Sequence, residues 1–517
     1  MALGLVGILV SLILLITLAY RGVTIVLAAP ISALVALLFS GAPILANYTE
    51  VFMPALANFI GQYFPMFLTG AIFGRLMTMA GYARDIAQTI TRWLGPKRAI
   101  LATVLTTALL TYGGISVFVV VFVMFPLARE LFRQADIPRR LIPGAIALGA
   151  LTFTMTAIPG SPQVQNIIPG QAFQTNTFAA PGLGILGGTL IFLLGMVWLE
   201  FRKRQLARRG ESFSDPTVAE RRSGSLVSVG SASGGSDSGT TASSEPAATS
   251  SETVKTSEAV NTPETVNTPE PAHTDPEAAE RTLVPPNHVV PFIPVLLVFV
   301  VNFGCIMWLF PSMDWGHLQD EQYGGITLDD RQGIWAVLCA LLTAILSILA
   351  LNSSRIRTLI RGLADGAKNA MMPIFNTASE VGYGAVIASL AAFVIIRDGI
   401  FAVSDNALVA SALSTSVIAG VTGSASGGMT IALNALGEDL RALAADQGIS
   451  MEVMHRITAM ASGGLDSLPH NGAVITLIIV CGMTHREAYK DVGVISLVIP
   501  VAVTIVLIAV ALTFGVF

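Results

Sequence analysis

Residues 100–128 read ILATVLTTALLTYGGISVFVVVFVMFPLA, an apolar run without a single charged side chain. Basic residues flank it on both sides, with Lys97 and Arg98 before it and Arg129 directly after it. Lys and Arg next to membrane segments favour the cytoplasmic side, so both ends of this run are expected on the same side of the membrane. A single crossing cannot satisfy that condition, whereas a re-entrant hairpin with its tip at 111–116 can.

The whole chain is too apolar for a soluble protein. Of its 517 residues 53% are hydrophobic and 12% are charged, and the mean hydropathy is +0.70. Soluble domains carry about 25% charged residues, and a helix of about 20 apolar residues crosses the hydrocarbon layer. Several runs reach that length, which predicts an all-α, multi-pass protein of the cell membrane. The three cysteines have no paired spacing, so neither a disulfide framework nor a metal cluster is indicated.

Residues 202–287 differ in composition from the rest of the chain. They are rich in Ser, Thr, Pro, Gly and Glu, nearly free of aromatic residues, and contain VNTPE twice (260–264 and 266–270). Such a segment cannot bury enough apolar surface to offset the entropy of ordering. We predict a disordered cytoplasmic linker between a first membrane repeat (1–201) and a second one (288–517). It serves either as a tether or as a regulatory, partner-binding segment.

The two membrane halves share landmarks in the same order. Pro65 and Pro373, Gly113 and Gly427, and Pro159 and Pro469 are separated by 308, 314 and 310 residues. The run around Gly427 is flanked by acidic residues and few basic ones, so the ends of this second hairpin are expected outside. Hairpins that enter from opposite sides predict two inverted-topology repeats, a common architecture of secondary transporters. Each repeat is expected to hold about five spans, one re-entrant hairpin and a broken helix.

Irregular backbone at membrane depth persists only where protein buries it or where it lines a wet cavity. The sequence has four such breaks: the two hairpin tips and the segments 157–163 and 465–472. A new half-helix is predicted to begin after each, at Ser116, Ser161, Thr430 and Asn471. Helix N-termini favour an anion, and the carbonyls of the preceding half-helices can bind Na⁺. The predicted substrate is therefore a small carboxylate with hydroxyl groups.

The small and polar residues of these breaks are the candidate substrate-binding residues. They are Gly113, Gly114, Ser116, Gly160, Ser161, Gln163, Asn166, Ser424, Ser426, Gly427, Thr430, Ser467 and Asn471. Their alternative role is close helix packing, for which membrane proteins also use small residues.

Ionisable residues at membrane depth are few, and each indicates a function. Asp466, His470 and Glu380 are the candidate ion-coupling residues. Asp466 and His470 could carry a coupling proton, since histidine titrates near neutral pH, or Asp466 could complete a Na⁺ site. Glu380 has a second interpretation together with Arg75 on the matching helix of the first half: the two form a structural ion pair, or both lie near the membrane interfaces.

Residues 113–170 resemble the gluconate permease (GntP-type) family of the ion transporter superfamily, through GGISVFVVVFVMFPLARELFRQADIPRRLIPGAIALGALTFTMTAIPGSPQVQNIIPG. The resemblance extends over both membrane halves and excludes the linker. It implies proton-coupled symport of a small organic acid such as gluconate or hydroxybutyrate. It also implies a homodimer with an elevator-type motion, in which hairpins and broken helices carry substrate past a fixed scaffold. The insert and the segment LDSLPHNG (465–472) depart from the family pattern, which leaves regulation and the substrate open.

Secondary active transport is the function that these features predict. The alternatives are a Na⁺-coupled di- or tricarboxylate transporter, a passive channel, and a membrane scaffold without transport. The expected partners are a small carboxylate and the lipid bilayer, without nucleic acid, and the coupling ion (H⁺ or Na⁺) takes the place of a cofactor. Neither a nucleophile–base arrangement nor a phosphate-binding loop is present in the sequence, so an enzyme is not indicated.

Overall fold

A computed structural model describes residues 2–21, 23–213 and 289–514. Within these ranges the chain is helical and contains no β-strand. In the part of the chain that the structure describes, six helical segments are long and apolar enough to cross a membrane, and the bent pair 353–389 and 393–403 adds a seventh if it counts as one span. The prediction of an all-α, multi-pass membrane protein is confirmed.

The two halves present their helices in one order: two helices, a long helix, a connecting helix, a hairpin, a broken helix and a closing helix. The first half contains α1 (Ala2–Tyr20), α2 (Ile25–Ser40), α3 (Ile44–Asn47), α4 (Met53–Met79), α5 (Tyr82–Leu94), α6 (Ala99–Tyr112), α7 (Val117–Gln134), α8 (Ile142–Ala150), α9 (Phe153–Thr156), α10 (Ile168–Phe173) and α11 (Pro181–Arg208). The second half contains α12 (Phe292–Gly304), α13 (Gln332–Leu351), α14 (Ile356–Ser389), α15 (Phe393–Val403), α16 (Ala407–Thr422), α17 (Ala425–Asp446), α18 (Met451–Leu465), α19 (Gly472–Val480), α20 (His485–Gly493) and α21 (Ile499–Phe514).

Each hairpin has a first arm that is too short to cross the membrane. α6 has 14 residues and α16 has 16, which correspond to about 21 and 24 Å against about 30 Å of hydrocarbon. The chain reverses at 113–116 and at 423–424, where Gly114 and Gly423 have φ angles of 91° and 67°, a conformation that suits glycine. Because these arms, α2 and the broken helices are short, the full-length spans number fewer than the predicted five or so per half.

The two long helices α4 and α14 pack against each other in antiparallel orientation. Gly366, near the start of α14, lies against Ile72 in the last third of α4, and Gly382, near the end of α14, lies against Phe52. A Cβ would come within 2.7 Å of Ile72 Cα at the first glycine and within 3.0 Å of the Phe52 carbonyl at the second. Since α4 and α14 hold the same place in the two halves, their opposite directions support inverted repeats, which stay a prediction.

The helices pack as two groups. The scaffold group consists of α1, α2, α4, α12, α13 and α14, and the hairpin group consists of α6 to α11 and α16 to α21. Within the hairpin group the halves interleave: α10 packs on α17 and α18, and α19 packs on α7 and α8 in return. The largest contact between the two groups is that of α14 with α17.

α11 continues past residue 202, where the linker was predicted to begin. Arg202 is 3% exposed, and its guanidinium Nε lies 2.6 Å from the carboxylate of Asp491 on α20. Phe213 is buried as well. The predicted linker residues up to 213 are therefore part of the folded hairpin group, because this ion pair and this aromatic side chain attach them to it. The remainder, 214–287, lies outside the described residues.

Candidate functional site

The segments 157–163 and 465–472 are called the first and the second break. The tip of the first hairpin (113–116) lies against the first break. Tyr112, the last residue of α6, donates its hydroxyl to the carbonyl of Pro159 at 2.8 Å. Gln163 donates its Nε2 to the carbonyl of Thr111 at 2.7 Å. Since the last carbonyls of a helix lack intrahelical partners, the bond from Gln163 satisfies the end of α6. Together the two bonds hold the first tip and the first break in one place.

The remaining predicted residues of the first tip have different surroundings. A Cβ at Gly113 would come within 3.0 Å of Val295 on α12, so close packing against the scaffold group requires glycine there. Ser116 precedes α7 as predicted, but its side chain makes no capping hydrogen bond. Ser116 is half-buried.

The predicted start of a half-helix at Ser161 is wrong. Ser161 is fully buried, and its hydroxyl donates to the carbonyl of Thr154 at 2.6 Å instead of capping a helix. Gly160 turns the chain with a φ of 75°, and the next α-helix begins only at Ile168. Its second residue is Pro169, which fits a first turn because proline has no N–H to satisfy there. The serine hydroxyl instead donates to the carbonyl of Thr154, a contact that sequence spacing does not reveal.

A buried arginine, Arg456 of α18, links the residue before the first break to the loop 174–180 that follows α10. It is 0% exposed, and its guanidinium donates to the carbonyls of Thr156, Thr177 and Ala179 and to Oδ1 of Asn166. All five guanidinium N–H groups thereby have acceptors, and no ion pair to Arg456 occurs among the described residues. Asn166 also donates to the carbonyls of Ser161 in the break and of Thr177 in the loop after α10, so this predicted binding residue acts as a structural link.

Neither Arg456 nor its neighbour His455 was among the predicted site residues. His455 is also 0% exposed, and its Nδ1 lies 2.7 Å from the hydroxyl of Thr175 in the loop after α10. The sequence did contain a signal, since a basic residue inside an apolar helix indicates a function by default. The signal was missed because Arg456 lies in the second turn of its helix, where an interfacial position was an equally good interpretation.

The second tip contains a capped helix start. α17 begins after Ser424, whose Oγ accepts the N–H of Gly427 at 3.1 Å. Thr430, which was predicted to open this helix, lies in its second turn, and its hydroxyl donates to the carbonyl of Ser426 at 2.8 Å. That prediction is wrong because Ser424 stands three residues before an N–H that it can accept. The first N–H groups of α17, at residues 425 and 426, have no partner within the helix.

Asn471 opens α19 as predicted. Its Oδ1 accepts the N–H of Val474 at 2.8 Å, and its Nδ2 donates to the carbonyl of Gly423 at 2.9 Å. The ring of His470 lies against the same glycine. The N-termini of α17 and α19 are therefore neighbours, so that the N–H groups and positive dipole ends of both helices can act on one anion.

Glu380 of α14 lies directly against the second tip. Its side chain is 5% exposed, it interacts with the hydroxyl of Ser424, and its Oε2 has no hydrogen-bond partner. A Cβ at Gly427 would collide with this Oε2. The alternative of an ion pair with Arg75 is wrong, since Arg75 binds Asp365 at 3.3 Å. The antiparallel packing of α4 and α14 places Arg75 beside the start of α14, whereas Glu380 lies near its end.

Asp466 is the second buried carboxyl group of this region. It is 7% exposed and accepts a hydrogen bond from the hydroxyl of Ser467 at 3.1 Å. The carbonyl of Ser467 accepts the hydroxyl of Tyr489 on α20 at 3.0 Å. Over the described ranges, no ion pair reaches Asp466 or Glu380. A buried carboxylate without a fixed cation needs a proton or a mobile cation.

The two breaks meet where the broken helices cross. A Cβ at Gly463, in the last turn of α18, would come within 2.7 Å of the methyl group of Thr156. Thr156 is the last residue before the first break, and α18 ends at the second break. Glycine at 463 therefore lets the two irregular segments approach each other.

The two hairpin tips lie further apart than the two breaks. The first tip reaches α4 at Gly70, where a Cβ would lie 3.6 Å from the carbonyl oxygen of Gly114. Gly70 lies at nearly the same level as Gly366 of α14. Glu380, which contacts the second tip, is about 20 Å further along the axis of α14 than Gly366. The predicted residues consequently form two clusters, one at each hairpin, and the second cluster contains all three predicted ion-coupling residues.

Two known transporters and one family model are similar to this sequence. The family model described as GntP family permease matches residues 1–211. A Bacillus subtilis (strain 168) protein, "Uncharacterized transporter YxjC", is 40% identical over 515 residues, which cover 98% of this chain and 99% of the relative. The chain belongs to the GntP permease family. A Haemophilus influenzae protein, "Uncharacterized transporter", is 28% identical over 155 residues, 29% of this chain and 34% of the relative.

As a GntP-family permease, the chain is a membrane transporter and not an enzyme. It is a multi-pass protein, in bacteria of the cell membrane. The match of the family model covers the first hairpin and the first break, whereas the relative from Bacillus subtilis covers both clusters. The similarity to this relative therefore includes the second cluster, where the buried carboxyl groups lie.

Proposed function

We propose that this permease is a secondary active transporter that takes up a small organic (hydroxy)carboxylate, such as gluconate or hydroxybutyrate, together with protons. The observation that carries the proposal is the second cluster. There the N-termini of α17 and α19 are joined by the bond between Asn471 and Gly423, next to the buried carboxyl groups of Glu380 and Asp466.

The second cluster has the chemistry of a site for a small anion that bears hydroxyl groups. Ser424, Ser426 and Asn471 offer hydroxyl and amide groups, and the two helix starts offer unpaired N–H groups. The cluster segments 423–430 and 465–472 contain no lysine or arginine. Neutral donors of this kind match a singly charged carboxylate better than a di- or tricarboxylate, whose additional charges would lack counter-charges.

The division into two helix groups supports an elevator-type motion. The first tip contacts the scaffold group at Gly70 of α4, and the second contacts it at Glu380 of α14. Movement of the hairpin group along α4 and α14 would carry a substrate bound at the tip from one side of the membrane to the other, which is alternating access. A homodimer that forms through the scaffold groups would hold them in place during this motion.

The buried carboxyl groups support cation coupling. Moving an ionised carboxylate through a low-dielectric site is unfavourable unless a cation neutralises it. A proton on Glu380 or Asp466 achieves this without any further ligand. A Na⁺ ion would need several oxygen ligands around the carboxylate, and the Na⁺-coupled di- or tricarboxylate transporter is therefore the second candidate.

Uptake by the reconstituted full-length chain tests the proposal. Liposomes are loaded at one pH and diluted into radiolabelled gluconate or 3-hydroxybutyrate under an inward proton gradient, an inward Na⁺ gradient, or neither. We expect accumulation above the external concentration only with the proton gradient. Accumulation that requires Na⁺ would favour the second candidate, and equilibration without accumulation would indicate a passive channel. Absence of any uptake of these acids would contradict the proposed substrate class.

A further inference from the structure

The carboxyl group of Glu380 occupies the position at which an anion would bind the second tip. Its Oε2 lies so close to Gly427 that a Cβ there would collide with it, and Gly427 is in the first turn of α17. This end of α17 is where the unpaired N–H groups and the positive dipole end of a 22-residue helix favour negative charge. Glu380 itself therefore supplies the anion in this conformation.

The hydrogen bonding of Glu380 is incomplete on one side. The carboxyl group interacts with the hydroxyl of Ser424, yet its Oε2 is buried without a partner. An ionised carboxylate only accepts hydrogen bonds, whereas a protonated one also has an O–H to donate. The protonation state of the Oε2 atom consequently decides whether this position repels a second carboxylate or donates to it.

We propose that Glu380 is an internal competitor of the substrate carboxylate, and that a proton on Glu380 is what allows the substrate to bind the start of α17. With Glu380 ionised, the N–H groups of α17 already face a negative charge, and a second anion beside it is repelled. With Glu380 protonated, the internal charge is gone and Oε2–H donates a hydrogen bond to the arriving carboxylate. This inference rests on the proposed function and assigns its coupling step to one side chain.

Glu380 lies at the contact between the scaffold group and the hairpin group. Glu380 belongs to α14 of the scaffold group, and Ser424 and Gly427 belong to the hairpin group. The proton therefore acts at the contact between the two groups, where the hairpin tip must separate from α14 before it can move. Binding of the proton and binding of the anion favour each other by the same factor, because linkage between two sites is reciprocal.

Other charged and titratable groups lie on the elements around Glu380, and none forms an ion pair with it among the described residues. α1, α2 and α13 carry no charged side chain. His470 is the nearest alternative proton carrier, since its ring lies against Gly423 and its Nε2 is buried without a partner. The groups on the packed elements are Tyr48, Glu50, Tyr63, Arg75, Cys339, Arg355, Arg357, Arg361, Asp365, Lys368, Tyr383, Arg397, Asp398, Glu438, Asp439, Arg441 and Asp446, and the second break adds Asp466 and His470.

The variant Glu380→Gln tests the inference because glutamine keeps the shape and the donor of the protonated acid but cannot ionise. Binding of gluconate and 3-hydroxybutyrate to the purified full-length chain is measured between pH 5.5 and 8.5. We expect the wild-type affinity to fall about tenfold for each pH unit above the point where Glu380 loses its proton, as one linked proton requires. The Glu380→Gln variant should bind with the low-pH affinity at every pH.

Two further variants separate Glu380 from its neighbours. Glu50→Gln changes an exposed carboxyl group on the turn before α4, which packs on the same part of α14, and it should keep the wild-type pH slope. His470→Gln removes the other titratable group at the tip and should also keep it. A pH slope that persists in Glu380→Gln, or one that disappears in His470→Gln instead, would overturn the inference.

A measurement without substrate keeps the test decisive if neither acid binds. Hydrogen exchange of the peptide containing residues 425–428 is compared between wild type and Glu380→Gln at pH 8.5. We expect faster exchange in the variant, because the ionised carboxylate no longer holds the start of α17 against α14. Equal exchange would overturn the internal-anion inference. Failure of the wild type to bind either acid, with the exchange difference present, would contradict only the proposed substrate class.

Discussion

Gly427 shows how a single missing methyl group shapes the candidate site. A Cβ at this position would meet Glu380 Oε2, and it would also lie 3.0 Å from the hydroxyl of Ser424. The sequence predicted a role for both Ser424 and Gly427 from their place in a loop at membrane depth. It did not reveal that the partner of this loop is a carboxyl group on another helix, since 47 positions separate Glu380 from Gly427.

Asn471 has two roles that one substitution removes together. In Asn471→Ala we expect α19 to lose its N-cap and the second tip to lose its bond to Gly423, at a cost of about 1 to 2 kcal/mol. Gradient-driven uptake should fall about tenfold or more, while the amount of folded protein in the membrane stays near wild type.

The matched control is Thr476→Ala on the same helix, because that hydroxyl donates only to the carbonyl of Gly472 within the helix, at 2.8 Å. Thr476→Ala should keep wild-type uptake. Equal loss of uptake and of folded protein in Asn471→Ala would show a purely structural role for Asn471.

At the scale of elements, the two broken helices differ in how their ends are satisfied. The second break ends in a capped helix, with Asn471 accepting from Val474. The first break leads only to the six-residue α10, and Arg456 from the other half binds carbonyls on either side, at Thr156 before the break and in the loop 174–180 after α10. Unpaired carbonyls at membrane depth are costly, so a cation from a neighbouring helix stabilises an otherwise unfavourable loop.

The substitution Arg456→Lys is therefore not conservative. Lysine has three donors on a single atom and cannot reach carbonyls on opposite sides, as the planar guanidinium does. We expect a loss of about 2 to 4 kcal/mol in stability, since buried carbonyls lose their partners, and faster hydrogen exchange in residues 174–180.

Arg397→Lys is the control for that measurement, because Arg397 is 44% exposed and pairs with Asp398 at 3.4 Å. It should leave both thermal stability and hydrogen exchange of residues 174–180 unchanged. If Arg456→Lys exchanges in residues 174–180 at the wild-type rate, the carbonyls of this loop do not depend on the guanidinium.

At the scale of the whole molecule, the hairpin group is assembled from both halves. Arg202 on α11 and Asp491 on α20 form a buried ion pair between the closing helices of the two halves, with side chains 3% and 0% exposed. The indole N–H of Trp198 also donates to Asp491 at 3.2 Å. Such a pair fixes the two closing helices relative to each other, which the hairpin group needs if it is to move as one unit.

Neutralising one member of this pair should destabilise the whole hairpin group. Arg202→Met or Asp491→Leu alone leaves an unpaired buried charge, and we expect a loss of about 3 to 5 kcal/mol with a lower melting temperature. The double variant, with both charges removed, should recover most of that loss.

Arg133→Gln, which breaks an exposed pair with Glu130, serves as the control and should hardly change the melting temperature. A double variant as unstable as either single one would show that packing of the side chains, rather than their charges, holds the helices together.

The sequence by itself determined the fold class and the places where the backbone breaks. In a bilayer, an apolar run of spanning length can adopt few folds, because its backbone polar groups must be satisfied internally. Clusters of Gly, Ser and Pro inside such runs interrupt the helix, as at 113–116, 423–424 and 466–471. The tertiary structure decided which side chains serve each break. Ser161 turned to Thr154, Arg75 paired with Asp365, and Arg456 and Glu380 reached breaks far away in the chain. The contacts of Arg75, Glu380 and Arg456 depend on the antiparallel packing of α4 with α14 and on the interleaving of the two halves, neither of which leaves a local pattern in the sequence.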